Sequence, residues 1–310
     1  MIDYHRRMLA DDVRHKAFHE ALKKVIVPGQ TTVADIGSGT GILSFLCEKL
    51  GAKECTLYEA GDIARVSKQL IAENNIKNCH VVQKFSTQVK NPPDVDLVIS
   101  ETLGNYALEE HILEILMDAK RFLKHGGTIM PSGLRQFVIP VTTDRFHKEI
   151  SDVWGNVGFD LTFDAAKKVA IQNLYVRTLK PEDLLQDKNA AKQWDSINFL
   201  EKESSVRSGE AKWTLESDAP LSGFCLYWEA DLARGVMLST NPSSSSTHWE
   251  QIYVPITAIQ NLQKGDALTC VIDSDTRFET GLNLKWKVKI EREGKMLYRE
   301  DLDMQKGFLA

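Results

Sequence analysis

Apolar and polar positions in the first 130 residues follow two alternating periods. From Tyr4 to Ile26 the residues Met8, Leu9, Val13, Phe18, Ala21, Leu22 and Val25 recur at mostly helical spacing, with charged residues between them. This predicts one or two amphipathic helices, ended by Pro28 and Gly29. A β-rich run opens at Thr32. The pattern then predicts a helix over 42–50, a strand over 55–58, a helix over 63–74, a strand over 80–84 and a buried strand over 94–100. Ala107 to Lys124 again has helical periodicity, stops at Gly126 and Gly127, and is followed by the short strand TIMP. Such alternation of β and α segments predicts a parallel sheet with helices on both faces.

From Pro131 onward strand-like runs dominate: LRQFVIPV, AKWTLES, SGFCLYWEADL, WEQIYVPI, ALTCVIDS, LKWKVKIER and KMLYREDL, divided by Gly, Pro, Asp and Ser clusters. They predict a second, antiparallel, β-barrel-like domain. Residues 146–194 interrupt it with helical patches (FHKEISDVW, AAKKVAI, PEDLLQD) that do not suit a hairpin. An insertion of this kind projects from the barrel and must bury its apolar side chains elsewhere, on another subunit for instance. The expected fold is therefore α/β: a Rossmann-like domain over 1–130, then a β-barrel domain over 131–310 with an inserted helical arm. A chain of 310 residues with 43% hydrophobic content suits two domains with a core in each.

Charge and cysteine usage narrow the partners. A net charge of −5 gives no broad phosphate-binding surface, so nucleic acid is not expected as a direct partner. The five cysteines show no CxxC spacing and read as reduced core thiols of a cytoplasmic protein, with nuclear access open. No apolar run approaches the ~18 residues of a membrane helix, and no metal site is expected.

The candidate chemistry begins in Thr31 to Leu46, TTVADIGSGTGILSFL. Gly37, Gly39 and Gly41 form GxGxG between a strand and a helix, a turn that lets a ligand lie against bare main chain. Glu59 ends the next strand, where its carboxylate could hold two ribose hydroxyls. The third glycine is spaced differently from the dinucleotide fingerprint, and no P-loop lysine follows. An adenosine ligand is the first inference. Asp35, Glu59 and Glu101 stand at strand ends and should converge on one crevice. In SETLGNYALEE a second carboxylate, Glu110, follows Glu101 by nine residues. Two carboxylates in one pocket repel unless a cation lies between them, and a planar, permanently charged guanidinium suits that place. The alternative is that Glu110 is a solvated glutamate near a helix N-terminus.

VADIGSGTG is similar to motif I of class I S-adenosylmethionine methyltransferases. Together, DIGSGTG, Glu59 and SETLGNYALEE resemble the protein arginine N-methyltransferase family, whose double-glutamate loop grips the substrate arginine. STHWEQ (Ser246 to Gln251) resembles that family's THW loop, MLADDVRHKAF its helix under the cofactor, and WGNVGFDL its dimerisation arm. The resemblance implies S-adenosyl-L-methionine as cofactor, with S-adenosyl-L-homocysteine as product. Arg14 would pair with its carboxylate, Asp35 would lie near its methionine end, and Gly37, Gly39 and Gly41 would lie under it. Glu59 would hold its ribose, and Ser86 and Thr87 would also bind the cofactor. Glu101 and Glu110 would hold the arginine, Asp11 would hydrogen-bond His248, Met8 would face the methyl-accepting nitrogen, and Trp249 would stand beside the pocket. The implied partners are an arginine-containing protein or peptide and a second copy joined through the arm; association with a paralogous subunit stays open.

Two departures from the family are visible. The tyrosine-rich helix that closes over the cofactor is not found ahead of Tyr4, so the lid is expected to be missing or supplied otherwise. Thr102 and Asn105 stand where an aromatic residue is common, which predicts a wider or wetter pocket. A small guanidine acceptor and a non-catalytic regulatory paralogue remain open, as do the degree of methylation and the choice of Glu110 or the His248–Asp11 pair as proton acceptor.

Overall fold

The structure, a computed structural model, describes residues 2–307. Helices α1 (Ile2–Leu9) and α2 (Asp12–Val25) lead into a parallel sheet of five strands: β1 (Thr32–Ile36), β2 (Glu54–Tyr58), β3 (Cys79–Val82), β4 (Val95–Ile99) and β5 (Leu123–Met130), in the order β3-β2-β1-β4-β5. The crossovers carry α3 (Ile42–Lys49), α4 (Ile63–Glu73) and α5 (Ile112–Ala119). Val33, Ala34 and Ile36 in β1 and Leu97, Val98 and Ile99 in β4 are all buried, the mark of strands covered on both faces. The order in which strands are added reverses between the parallel neighbours β1 and β4, so their carboxyl ends frame the crevice.

Helix α5 starts five residues later than the periodicity predicts. Residues 107–110 form a turn, yet Ala107 and Leu108 are fully buried in it. Apolar residues of a buried turn have imitated the first turn of a helix.

The second half begins with β6 (Gly133–Val141), immediately after β5. It continues through α6 (Arg145–Gly155), α7 (Asp164–Ile171), β7 (Tyr175–Arg177), β8 (Lys192–Asn198), β9 (Val206–Thr214), β10 (Ala219–Ala233), β11 (Val236–Ser239), β12 (Gln251–Leu262), β13 (Ala267–Asp275), β14 (Asn283–Arg292), β15 (Lys295–Asp303) and α8 (Met304–Gly307). The strands form two antiparallel sheets, β7-β12-β10-β6-β8 with β11 beside β10, and β15-β14-β13-β9. They do not close into a barrel: among the described residues no ladder joins the two sheets. They meet where β8 crosses β9, so closely that a Cβ on Gly209 would lie 1.9 Å from the carbonyl oxygen of Trp194.

The insertion is helical only in its first half. Beyond α7, β7 pairs with β12 and β8 with β6, and PEDLLQD holds no more than a 3-10 turn over Pro181–Asp183. β8 escapes a period-two pattern because Trp194 is an extra residue opposite the Gln136–Phe137 step. That bulge turns both Trp194 and Ile197 inward, three residues apart.

Helix α2 is the joint between the halves. It buries Phe18, Ala21 and Leu22, packs on α3 of the first domain, and packs on β10 and β11 of the second. Among the described residues no helix is long and apolar enough to cross a membrane.

Candidate active site

The turn after β1 bends through Gly37, Gly39 and Gly41, all with left-handed φ (70°, 55° and 89°). Gly41 has a second constraint, since a Cβ there would lie 2.8 Å from Leu57 Cδ2. Glu59, at the end of β2, accepts the Gly39 N–H at 2.9 Å and the Gly61 N–H at 2.7 Å. Its carboxylate thus holds the turn while facing the crevice, and each oxygen keeps a lone pair for a ligand hydroxyl. Asp35 lies deeper. It is buried, accepts from the Ser44 hydroxyl at 2.7 Å, and burial pushes its pKa up to about 6.

The loop after β4 carries both glutamates. Arg14, on α2, donates through Nε to Glu101 Oε2 at 2.7 Å and also through Nη2. Both side chains are almost wholly buried. Glu110 opens on the cavity and accepts the Tyr4 hydroxyl at 2.8 Å through Oε1. Loss of surrounding water raises its pKa, the Tyr4 hydrogen bond opposes that, and the charges of Glu101 and Glu109 add to it. Glu109 folds back to accept the Asn105 N–H at 2.7 Å. It can do so because Gly104 has no side chain: a Cβ there would stand 2.1 Å from Glu109 Cγ.

The second domain grips this loop from behind. Trp249 donates through its indole N–H to the Leu103 carbonyl at 2.7 Å, and Trp228 to the Gly104 carbonyl at 3.0 Å. The two indoles meet edge to face, with centroids 5.1 Å apart. Asn105 Oδ1 accepts the Glu250 N–H at 2.8 Å, and Tyr106 donates to Ser274 at 2.8 Å.

Asp11 caps α2 by accepting the Arg14 N–H at 2.8 Å and takes two hydrogen bonds from His248, from its backbone N–H at 2.7 Å and from Nδ1 at 2.8 Å. Burial alone would raise the Asp11 pKa, but these bonds hold it below the usual value. An ionised Asp11 can only accept, so Nδ1 carries a proton. His248 Nε2 is buried without a partner.

These parts wall a cavity of about 200 Å³. Its floor is Gly37 to Thr40, with Glu59, Glu101, Thr102, Glu110 and Arg14 around it; Tyr4, His5, Met8 and Leu9 of α1 cover it. Two buried donors of cavity-lining residues, Arg14 Nη1 and the Ser38 hydroxyl, have no partner among the described residues. A ligand bearing a carboxylate beside an adenosine would satisfy the first without disturbing the Arg14–Glu101 pair.

The sequence pattern described as the arginine methyltransferase oligomerization subdomain matches residues 135–291, just over half of the chain. The chain belongs to the protein arginine methyltransferase family. The pattern of the ribosomal protein L11 methyltransferase matches residues 18–144. Protein arginine N-methyltransferase 1 of Dictyostelium discoideum is 26% identical over 302 residues, 94% of this chain and 87% of that one. Probable protein arginine N-methyltransferase 6.1 of Oryza sativa subsp. japonica is 29% identical over 293 residues, covering 82% and 74% respectively. A chain of the Trypanosoma brucei PRMT1 enzyme-prozyme heterotetrameric complex with AdoHcy superposes with a TM-score of 0.88 at 19% identity, over 98% of both chains. Protein arginine methyltransferase 10 of Arabidopsis thaliana gives 0.82 at 23% identity, also over 98% of both.

Within this family member, the expected residues divide by place. Met8, Arg14, Gly37, Gly39, Glu59, Glu101 and Glu110 wall the cavity, and Gly41 shapes its floor. Asp35 does not reach it and instead fixes the start of α3. Ser86 and Thr87 lie outside it, in a short 3-10 turn where Arg121 binds the Ser86 carbonyl. Trp249 is likewise behind the loop rather than beside the pocket. Asn105 faces the second domain, so only Thr102 of the two polar departures borders the cavity. The lid, expected to be missing or supplied otherwise, is supplied by α1. Tyr4, Gly104, Glu109 and Trp228 were not singled out from sequence; only the nine-residue span between the glutamates hinted that what lies inside and behind it matters.

Proposed function

We propose that this protein transfers a methyl group to a guanidino nitrogen of arginine in proteins or peptides, with S-adenosyl-L-methionine as donor. The observation that carries it is the placement of Glu101 and Glu110 on one wall of a cavity whose floor is the glycine turn and whose rim holds Glu59. When bound, the cofactor supplies an electrophilic methyl on sulfur. Arg14 Nη1 would take its carboxylate and Glu59 its ribose. Glu101 and Glu110 would hold the guanidinium so that one nitrogen faces the methyl and the positive charge is drawn to the others. Methylation releases one proton. Glu110 faces the cavity directly and is made a stronger base by its raised pKa, so it is the acceptor we assign, with His248 and Asp11 bracing the wall behind.

Glu101→Gln should leave S-adenosylhomocysteine binding close to native and cut turnover of an arginine peptide about a hundredfold or more. Calorimetry and mass spectrometry of the peptide check this. Loss of cofactor binding together with turnover would move Glu101 to a cofactor role.

The helical arm supports self-association. It exposes Phe159 (91%), Leu161 (61%) and Val153 (57%), an apolar cluster that a second copy would cover. Five free, buried cysteines support a reducing compartment such as the cytoplasm.

A further inference from the structure

Helix α1 lies over the cavity with none of its residues buried. It has no core to hold it down. Among the described residues, the one side-chain hydrogen bond from α1 to the rest of the protein is that from the Tyr4 hydroxyl to Glu110 Oε1, at 2.8 Å. The Tyr4 ring also stands edge-on to His248, with centroids 6.4 Å apart. The contact that closes the lid therefore ends on a carboxylate of the arginine pocket.

We propose that Tyr4 is a positioning residue: its hydroxyl latches α1 over the cavity and, by occupying Oε1, aims the other oxygen of Glu110 at the substrate guanidinium. This rests on the arginine methyltransferase reading above. One bond then does two things, so closing over the cofactor and shaping the arginine pocket become a single event. The groups facing Glu110 make the bond matter. Glu101 and Glu109 are like charges, Arg14 is committed to Glu101, and among the described residues no cation is bonded to Glu110. The Tyr4 donor is what favours its ionised form against burial and those charges.

The sign of the pH effect follows. Removing the hydroxyl raises the Glu110 pKa further, so the ionised fraction falls most at the acidic end and recovers as pH rises. Tyr4→Phe keeps the ring and deletes only the donor. Its affinity for an arginine peptide in the presence of S-adenosylhomocysteine should fall about tenfold, and the acid limb of its kcat/KM profile should move to higher pH. A merely structural contact would lower activity equally at every pH. In a Glu110→Ala background the same change should alter peptide affinity less than about twofold, because the partner is already gone; if that background binds no peptide, the pH profile alone decides. An unchanged profile, a pH-independent loss, or an equal loss in both backgrounds would overturn the latch. A native protein that methylates no arginine peptide would instead sink the reading beneath it, whereas active native protein with an unaltered Tyr4→Phe profile sinks only the latch.

Discussion

Asp35 is buried beneath the glycine turn with the hydroxyl and the backbone N–H of Ser44 as its partners. Its pKa, pushed up to about 6, compares with 3.8 for an aspartate in water. Between those two values the folded chain keeps a proton that the unfolded chain has lost. The protonated form thus stabilises the fold below about pH 4, and that contribution is lost as pH rises through 6, leaving a cost of about 3 kcal/mol at neutral pH. Asp35→Asn should therefore melt with a flatter dependence on pH between 4 and 7 than the native chain; parallel melting curves would show that Asp35 is charged in the fold throughout. The sequence placed this residue at the end of the strand that leads into the turn, where the structure has it in β1. It could not show the residue facing away from the cavity, because both faces of a parallel strand are buried and alternation carries no signal there.

The glutamate loop is the element in which sequence and structure differ most instructively. The nine-residue spacing located both carboxylates, but the packing that holds them comes from residues more than a hundred positions away. Local periodicity cannot report that. Trp249→Phe would leave the buried Leu103 carbonyl without its donor and should cost about 1–3 kcal/mol of stability. Gly104→Ala should cost a similar amount, since Glu109 must swing off and release the Asn105 N–H. Denaturant melts check the stabilities. For Gly104→Ala, arginine-peptide turnover should fall while cofactor affinity holds; an unchanged turnover would mean that the loop tolerates a displaced Glu109.

At the scale of the molecule, the parallel domain was legible in outline because its β and α periods alternate cleanly from Thr32 to Met130. The second half was less so. β7 is three residues long, β8 is bulged, and β11 is a short branch, so none carries a period of its own. The exposed cluster on the arm yields a test of assembly: Phe159→Ser with Leu161→Ser should convert an oligomer to a monomer in light scattering at micromolar concentration. A native chain that is already monomeric would remove the arm from that role.

The loop holding Glu101 and Glu110 is encoded within the first domain but anchored by Trp228, Trp249 and Glu250 of the second. Neither half is therefore an interchangeable module. Grafting the second domain of a relative onto this parallel sheet would preserve the cofactor floor and yet reset the arginine pocket, unless the loop and its indole anchors were carried over together. Inheritance of substrate choice in this chain follows that contact and cuts across the domain boundary.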